Sequence, residues 1–141
     1  MATVKHTDTE KRFRRVLSAS SLAGDRVKNG AGEDLGKVTE LMIDLPSGRV
    51  AYAVLSFGGV LGMGNKLFAV PWNAMTIDQD EKQFVLNIDK ARLENAPGFD
   101  KDNWPDMADQ TWGSNIYSYY GTQPYWKEDT TTNVRTGGGS Y

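Results

Sequence analysis

Between Arg26 and Ile88 the chain is interrupted every few residues by a turn signal, and that punctuation limits what it can fold into. Asn29-Gly30 is a strong tight-turn pair. Pro46-Ser47-Gly48 follows the next run: proline presets φ at the second turn position and Gly48 tolerates φ above zero. A glycine-rich stretch from Gly58 and the acidic turn Asp78–Lys82 supply the rest. The runs left between them are Arg26–Lys28, Lys37–Leu45, Arg49–Phe57, Lys66–Trp72, Ala74–Ile77 and Gln83–Ile88, rich in apolar and β-branched residues. In the last run Phe84, Leu86 and Ile88 point one way, Val85 and Asn87 the other. Arg49–Phe57 is apolar or small almost throughout, so both of its faces are expected to be covered. Pro71 implies an edge or a bend. About six short strands at this spacing predict an all-β domain, a small closed antiparallel β-barrel in which closure removes the exposed edges.

The flanks read differently. Residues 1–15 are polar and locally basic (Lys5, Lys11, Arg12, Arg14, Arg15) and are expected to form a disordered tail. The barrel is expected over 16–90, entered through a capped helical turn from Ser18 to Gly24. Residues 91–126 form a helical, aromatic-rich C-terminal extension. There Asp89 caps a helix that Pro97-Gly98 stops, and a second helix lies within Met107–Tyr120, with Asp106 or Asp109 as cap and Gly121 as stop. Residues 127–141 carry Thr and Gly where a core needs aliphatics, and a second disordered tail is expected.

Composition narrows the function classes. The 141 residues contain no cysteine, which removes disulfides, thiolate catalysis and thiolate zinc sites. A formal net charge of −2, from 16 basic and 18 acidic residues, gives no global field for nucleic acid or an anionic membrane. No run approaches the roughly 20 apolar residues that span a bilayer, so membrane insertion is not expected. The N-terminus lacks the apolar core of a secretory signal, and a cytoplasmic protein is expected.

In linear order, the strings Glu33-Asp-Leu-Gly36-Lys-Val38, Ile43-Asp-Leu-Pro-Ser-Gly48-Arg-Val-Ala-Tyr52, Val54-Leu-Ser-Phe-Gly-Gly59, Leu67-Phe-Ala-Val-Pro-Trp72 and Phe84-Val-Leu86 resemble PRC-barrel proteins. Together they cover about residues 16–90. The later Asn95-Ala-Pro-Gly-Phe99, Asn103-Trp-Pro105, Tyr119-Tyr-Gly121 and Pro124-Tyr-Trp126 look like the extension on stand-alone bacterial members. The resemblance implies a compact barrel of about six antiparallel strands. It is related to the cytoplasmic domain of the photosynthetic reaction-centre H subunit and to a barrel in a ribosome maturation factor. Both relatives use the barrel to bind protein. The sequence carries neither the H subunit's transmembrane helix nor the ribosome factor's N-terminal domain, so neither specific role carries over.

Few residues offer chemistry. His6 is the only histidine and lies in the basic tail, so a Ser-His-acid relay or a His-based metal site lacks its imidazole. No carboxylate pair has a context that predicts burial, and catalytic residues are not expected. Gly58–Lys66 is not a phosphate loop, because Asn65-Lys66-Leu67 leads into a strand. Its Val60, Leu61 and Met63 are expected either to fold over a barrel end or to meet another subunit.

Asp100, Asp102 and Asp106 could offer oxygens to a hard cation such as calcium. An EF-hand template fails there at Trp104, Pro105 and Thr111, and the plainer reading is a helix cap with solvated neighbours. The aromatic extension must dock somewhere. Trp104, Trp112, Ile116, Tyr120, Tyr125 and Trp126 either pack on the chain's own barrel or anchor a dimer, with Trp112, Ile116 and Tyr120 at helical spacing. The function expected is a non-catalytic protein-binding or scaffold module that self-associates as a homodimer and needs no cofactor. The alternatives are a calcium-binding regulatory domain and an RNA- or ribosome-associated factor using the basic arm.

Overall fold

The first helical turn is built by serines. In the computed structural model, which describes residues 15–58 and 65–127, the Ser21 N–H donates to Ser18 Oγ at 3.2 Å and opens α1 (Ala19–Leu22). The tails expected at 1–15 and 127–141 fall, apart from Arg15 and Lys127, outside the described residues.

Six strands follow: β1 (Arg26–Lys28), β2 (Asp34–Asp44), β3 (Arg49–Gly58), β4 (Asn65–Pro71), β5 (Met75–Asp78) and β6 (Gln83–Leu86). β2, β3 and β4 form an antiparallel meander, and β5–β6 a hairpin. A 3₁₀ turn, Trp72–Ala74, joins β4 to β5, and the order across the sheet is β4-β3-β2-β1-β6-β5. Consecutive strands β4 and β5 therefore lie at opposite edges. Four residue steps separate Pro71 from Met75 and span at most about 14 Å, whereas the edges of a flat six-stranded sheet stand about 24 Å apart. The sheet has to curl, and it forms a half-barrel.

Two expectations are corrected. The β1–β6 pair is parallel, with Arg26 opposite Gln83, Val27 opposite Phe84 and Lys28 opposite Val85. Its direction follows from the pairings: the chain continues from β4 into β5 without reversing, so β6 returns in the same sense as β1. Closure by hydrogen bonds is also missing among the described residues, since no ladder joins β4 to β5. The outer edge of β4 is met at Leu67 instead. The Leu67 N–H donates to Phe99 O at 2.9 Å and the Phe99 N–H to Leu67 O at 2.8 Å, so the extension takes the groups that a closing strand would use.

The concave side holds the main core, including Val27, Leu35, Val38, Leu55, Phe68 and Phe84, with Leu22 of α1 and Leu93 of α2 (Lys90–Glu94) in the same cluster. In β2 the core residues Leu35, Val38 and Leu41 recur at three-residue steps, because register shifts break the alternation. Gly36 makes the close approach to β3 possible. It holds φ at +101, and a Cβ there would stand 2.1 Å from Ser56 O. On the convex side, Ala51, Tyr52 and Ala69 form a second cluster with Ile116 and Tyr117 of α3 (Gln110–Tyr119). Ala51–Ser56 of β3 are consequently all buried, as its composition requires.

Local signals fare unevenly. Asp109 Oδ1 accepts the Thr111 N–H at 2.9 Å and caps α3. Asp89 occupies the N-cap position of α2, but its side chain makes no cap bond. Asn29-Gly30 does not form a two-residue hairpin: Asn29 Oδ1 accepts the N–H groups of Ala31 and Glu33 at 3.1 and 2.9 Å, organising a longer connection.

Gly36→Ala should lose at least about 1–3 kcal/mol from backbone strain, with the clash added to it. Gly48→Ala, at φ +76 with nothing within 4 Å of its Cβ, should lose only the strain. Equal urea midpoints for the two variants would contradict the close approach of Gly36 to β3. Phe68→Ala and Leu86→Ala should cost about 3–5 and about 2–5 kcal/mol in the same assay.

Candidate functional site

The tip of the β2–β3 hairpin is held by a dense set of side-chain bonds. Asp44 Oδ2 accepts from Ser47 Oγ at 2.6 Å and from the Ser47 N–H at 3.2 Å. Asp44 Oδ1 accepts from the Tyr125 hydroxyl at 2.8 Å, and Arg49 Nη1 donates to Tyr125 O at 3.2 Å. The end of the extension is thereby fastened to the hairpin. Ile43 and Leu45 remain outside this latch, 46% and 85% exposed. The register shift beside Ile43 puts the extra residue, Ala51, in β3. Beside them runs a groove of about 320 Å³, lined by Met42, Pro46, Ala51, Met107 and Tyr125 among others. An apolar knob and an apolar hollow thus share one rigid turn.

The extension packs on its own sheet. Tyr117 is its anchor: the ring meets Tyr52 at 5.4 Å between centroids and Trp126 at 5.7 Å, and its buried hydroxyl donates to Ala51 O at 2.9 Å. A Cβ on Gly113 would stand 2.7 Å from Tyr52 Oη, so only glycine lets the helix come this close. The buried stripe is therefore Gly113, Ile116 and Tyr117, rotated from the expected Trp112-Ile116-Tyr120 face. Trp112 still reaches Tyr52, at 5.3 Å.

Ile116, 2% exposed, is spent inside the chain and leaves nothing for a partner. Trp112, Tyr120, Tyr125 and Trp126 are half-buried, packed within the chain against the cluster that Tyr117 and Ile116 form with the sheet. Trp104 is 41% exposed, with its indole N–H on Lys101 O at 2.8 Å and its ring 5.0 Å from Phe99. Val60, Leu61 and Met63 lie outside the described residues, as does the basic arm apart from Arg15.

The cation reading is not upheld by geometry. Among the described residues no three His, Cys, Asp or Glu side chains gather as metal ligands, so Asp100, Asp102 and Asp106 do not form a site. Asp106 Oδ1 accepts the Ala108 N–H at 3.0 Å, a local turn contact that spends it on the backbone.

A second hollow, of about 680 Å³, lies between the Asn29–Ala31 loop, the 3₁₀ turn, the β6–α2 junction and the end of α3. Its walls are fixed by reciprocal bonds. Arg92 Nη2 donates to Tyr119 O at 2.8 Å, and the Tyr119 hydroxyl donates to Arg92 O at 2.5 Å. Asn73 Nδ2 donates to Gln123 O at 3.0 Å, and Thr122 Oγ1 donates to Asn73 Oδ1 at 3.1 Å. Tyr120 belongs to the same wall, while its hydroxyl is buried away from solvent without a partner, and burial pushes its pKa up. The sequence did not mark this hollow, or Ile43, Leu45, Gly113 and Tyr117, as a candidate site. The one available signal was the 113-116-117 helical spacing.

No described helix is long and apolar enough to cross a membrane. The family model for the PRC-barrel domain matches residues 14–93. No curated protein matches the chain. A solved structure described as a 16S ribosomal RNA processing protein, RimM, from Pseudomonas aeruginosa is 16% identical with a TM-score of 0.37, over 53% of this chain and 45% of that one. The chain thus spans under half the length of that neighbour.

The latch should respond to acid. The Ser47 hydroxyl bond lowers the Asp44 pKa, slight burial opposes it, and Tyr125, the Ser47 amide and Arg49 add to the lowering. Folding lowers this pKa, so its contribution is present in full above the unfolded value and is lost as pH falls through the folded one. The urea-stability gap between the native chain and Asp44→Asn should persist at neutral pH and close only below 3.8, the ordinary carboxylate value. It should be small, because water screens the group. A gap that is independent of pH would show that Asp44 does not act through its charge.

Proposed function

The chain belongs to the PRC-barrel family, and from that premise we propose that it is a non-catalytic, cytoplasmic scaffold or protein-binding module that pairs with a second copy of itself through the β2–β3 hairpin tip. One observation carries the reading: Leu45, 85% exposed, projects beside an apolar hollow on the same turn. A surface that bears both a knob and a hole is self-complementary, as a two-fold, isologous interface requires. Met42, Ile43, Leu45 and Pro46 offer contact area and no proton-transfer group, which favours binding over catalysis. The Asp44 latch fixes the turn before any partner arrives, so less ordering entropy is lost on association. The calcium and RNA alternatives have no comparable observation behind them.

Sedimentation velocity tests the pairing. The native chain should form a concentration-dependent dimer. Leu45→Asp should shift it to monomer, a loss on the order of 2 kcal/mol for a central anchor. Leu45→Met should keep the dimer. A native chain that stays strictly monomeric at high micromolar concentration sinks the proposal, as does a Leu45→Asp variant that pairs normally.

A further inference from the structure

Sulfur gathers at the hairpin tip. The chain has no cysteine, so its five methionines carry all of its sulfur. Three of them fall among the described residues. Two of those three, Met42 of β2 and Met107 from the stretch before α3, line the same apolar groove. Both are half-buried and pack against the cluster that Ala51, Tyr52 and Tyr117 form. Met75 differs: it is 9% exposed inside the main core.

A thioether in such a hollow is a soft, apolar contact surface. Oxidised to the sulfoxide it becomes polar, and its oxygen requires a hydrogen-bond donor. The tyrosines of the groove have none to spare. The Tyr125 hydroxyl is committed to Asp44 Oδ1 at 2.8 Å, and the Tyr52 hydroxyl is sealed under α3 beside Gly113. While the groove is open, water supplies the missing donor. Once Leu45 of a second copy fills it, water leaves, and an unpaired sulfoxide carries a desolvation cost that the thioether does not.

We propose that Met42 and Met107 form an oxidation site that switches off pairing at the hairpin tip; the inference rests on the pairing proposed above. The oxidant is a hydroperoxide, of which hydrogen peroxide is the simplest. A lone pair on Sδ attacks one peroxide oxygen, and the S–O bond forms as the O–O bond breaks. The departing hydroxide takes the proton from the transferred oxygen and leaves as water. Sulfur loses two electrons and the peroxide gains them. Pairing in turn covers both sulfurs, so their oxidation slows as the dimer fraction rises.

Sedimentation velocity before and after hydrogen peroxide, with peptide mapping by mass spectrometry, tests the switch. In the native full chain Met42 and Met107 should gain oxygen before Met75, and the dimer dissociation constant should rise at least about tenfold. Methionine sulfoxide reductases with a thiol reductant should restore it. The Met42→Leu/Met107→Leu variant, compared with itself, should show the same constant before and after peroxide, although Met1, Met63 and Met75 remain. Should that variant fold or pair poorly, concentration dependence still decides. In the native chain Met42 and Met107 should oxidise more slowly at high protein concentration, and in Leu45→Asp at one rate throughout. A native chain that is monomeric before treatment overturns the pairing and the switch together. A native dimer that keeps its constant with both sulfurs oxidised overturns the switch alone. So do a double variant as sensitive as the native chain, a loss that the reductases leave in place, and oxidation rates that ignore concentration while the dimer forms.

Discussion

Three residues, Trp72 to Ala74, set the shape of this protein. They join strands at opposite edges of one sheet, and a link that short leaves no room for a flat arrangement. Curling brings the edges together and gives the concave side an inside, which Phe68, Phe84 and Leu55 fill. The same link keeps the chain running in one direction from β4 into β5, and that continuity makes β6 parallel to β1. Core, curvature and strand sense thus follow from one connection, with hydrophobic burial supplying the free energy that holds the curl.

The extension does the work that closure would otherwise do. Phe99 satisfies the outward groups of Leu67 in β4, and Tyr117 and Ile116 cover the convex face that β3 and β4 present. Apolar residues on both faces of β3 would be a liability in a bare half-barrel. Here one face looks into the curl and the other lies under α3. The hairpin tip and the hollow at the end of α3 both depend on this arrangement, since Tyr125 latches the first and Tyr120 lines the second.

Much of the fold was legible because turn chemistry is local. Arg26–Lys28 matched at both ends, Arg49 opened β3, and Asp109 capped α3 as its position implied. What escaped was non-local. Strand sense depends on where the chain goes after Pro71, and closure on what occupies the far edge of β4; neither is written in a strand's own residues. The register shift that makes Ala51 an extra residue in β3 is one that no alternation rule anticipates. The aromatic stripe was misplaced because bulk drew attention to Trp112 and Tyr120, while the closest approach to the sheet belongs to Gly113, a residue with no side chain at all. Asp89 was misjudged in another way: the position was right, but the carboxylate does not bond to the helix.

The pairing of Leu67 with Phe99 bears on how the polypeptide can be divided. The family-defining segment ends at residue 93, six positions before the residue that shields the open rim of β4. A fragment trimmed to that boundary would bare the amide and carbonyl of Leu67 beside an uncovered greasy wall, the combination that seeds polymerisation. A fragment meant to live alone in solution should accordingly run past the piece that marks its kinship, through Phe99 and α3.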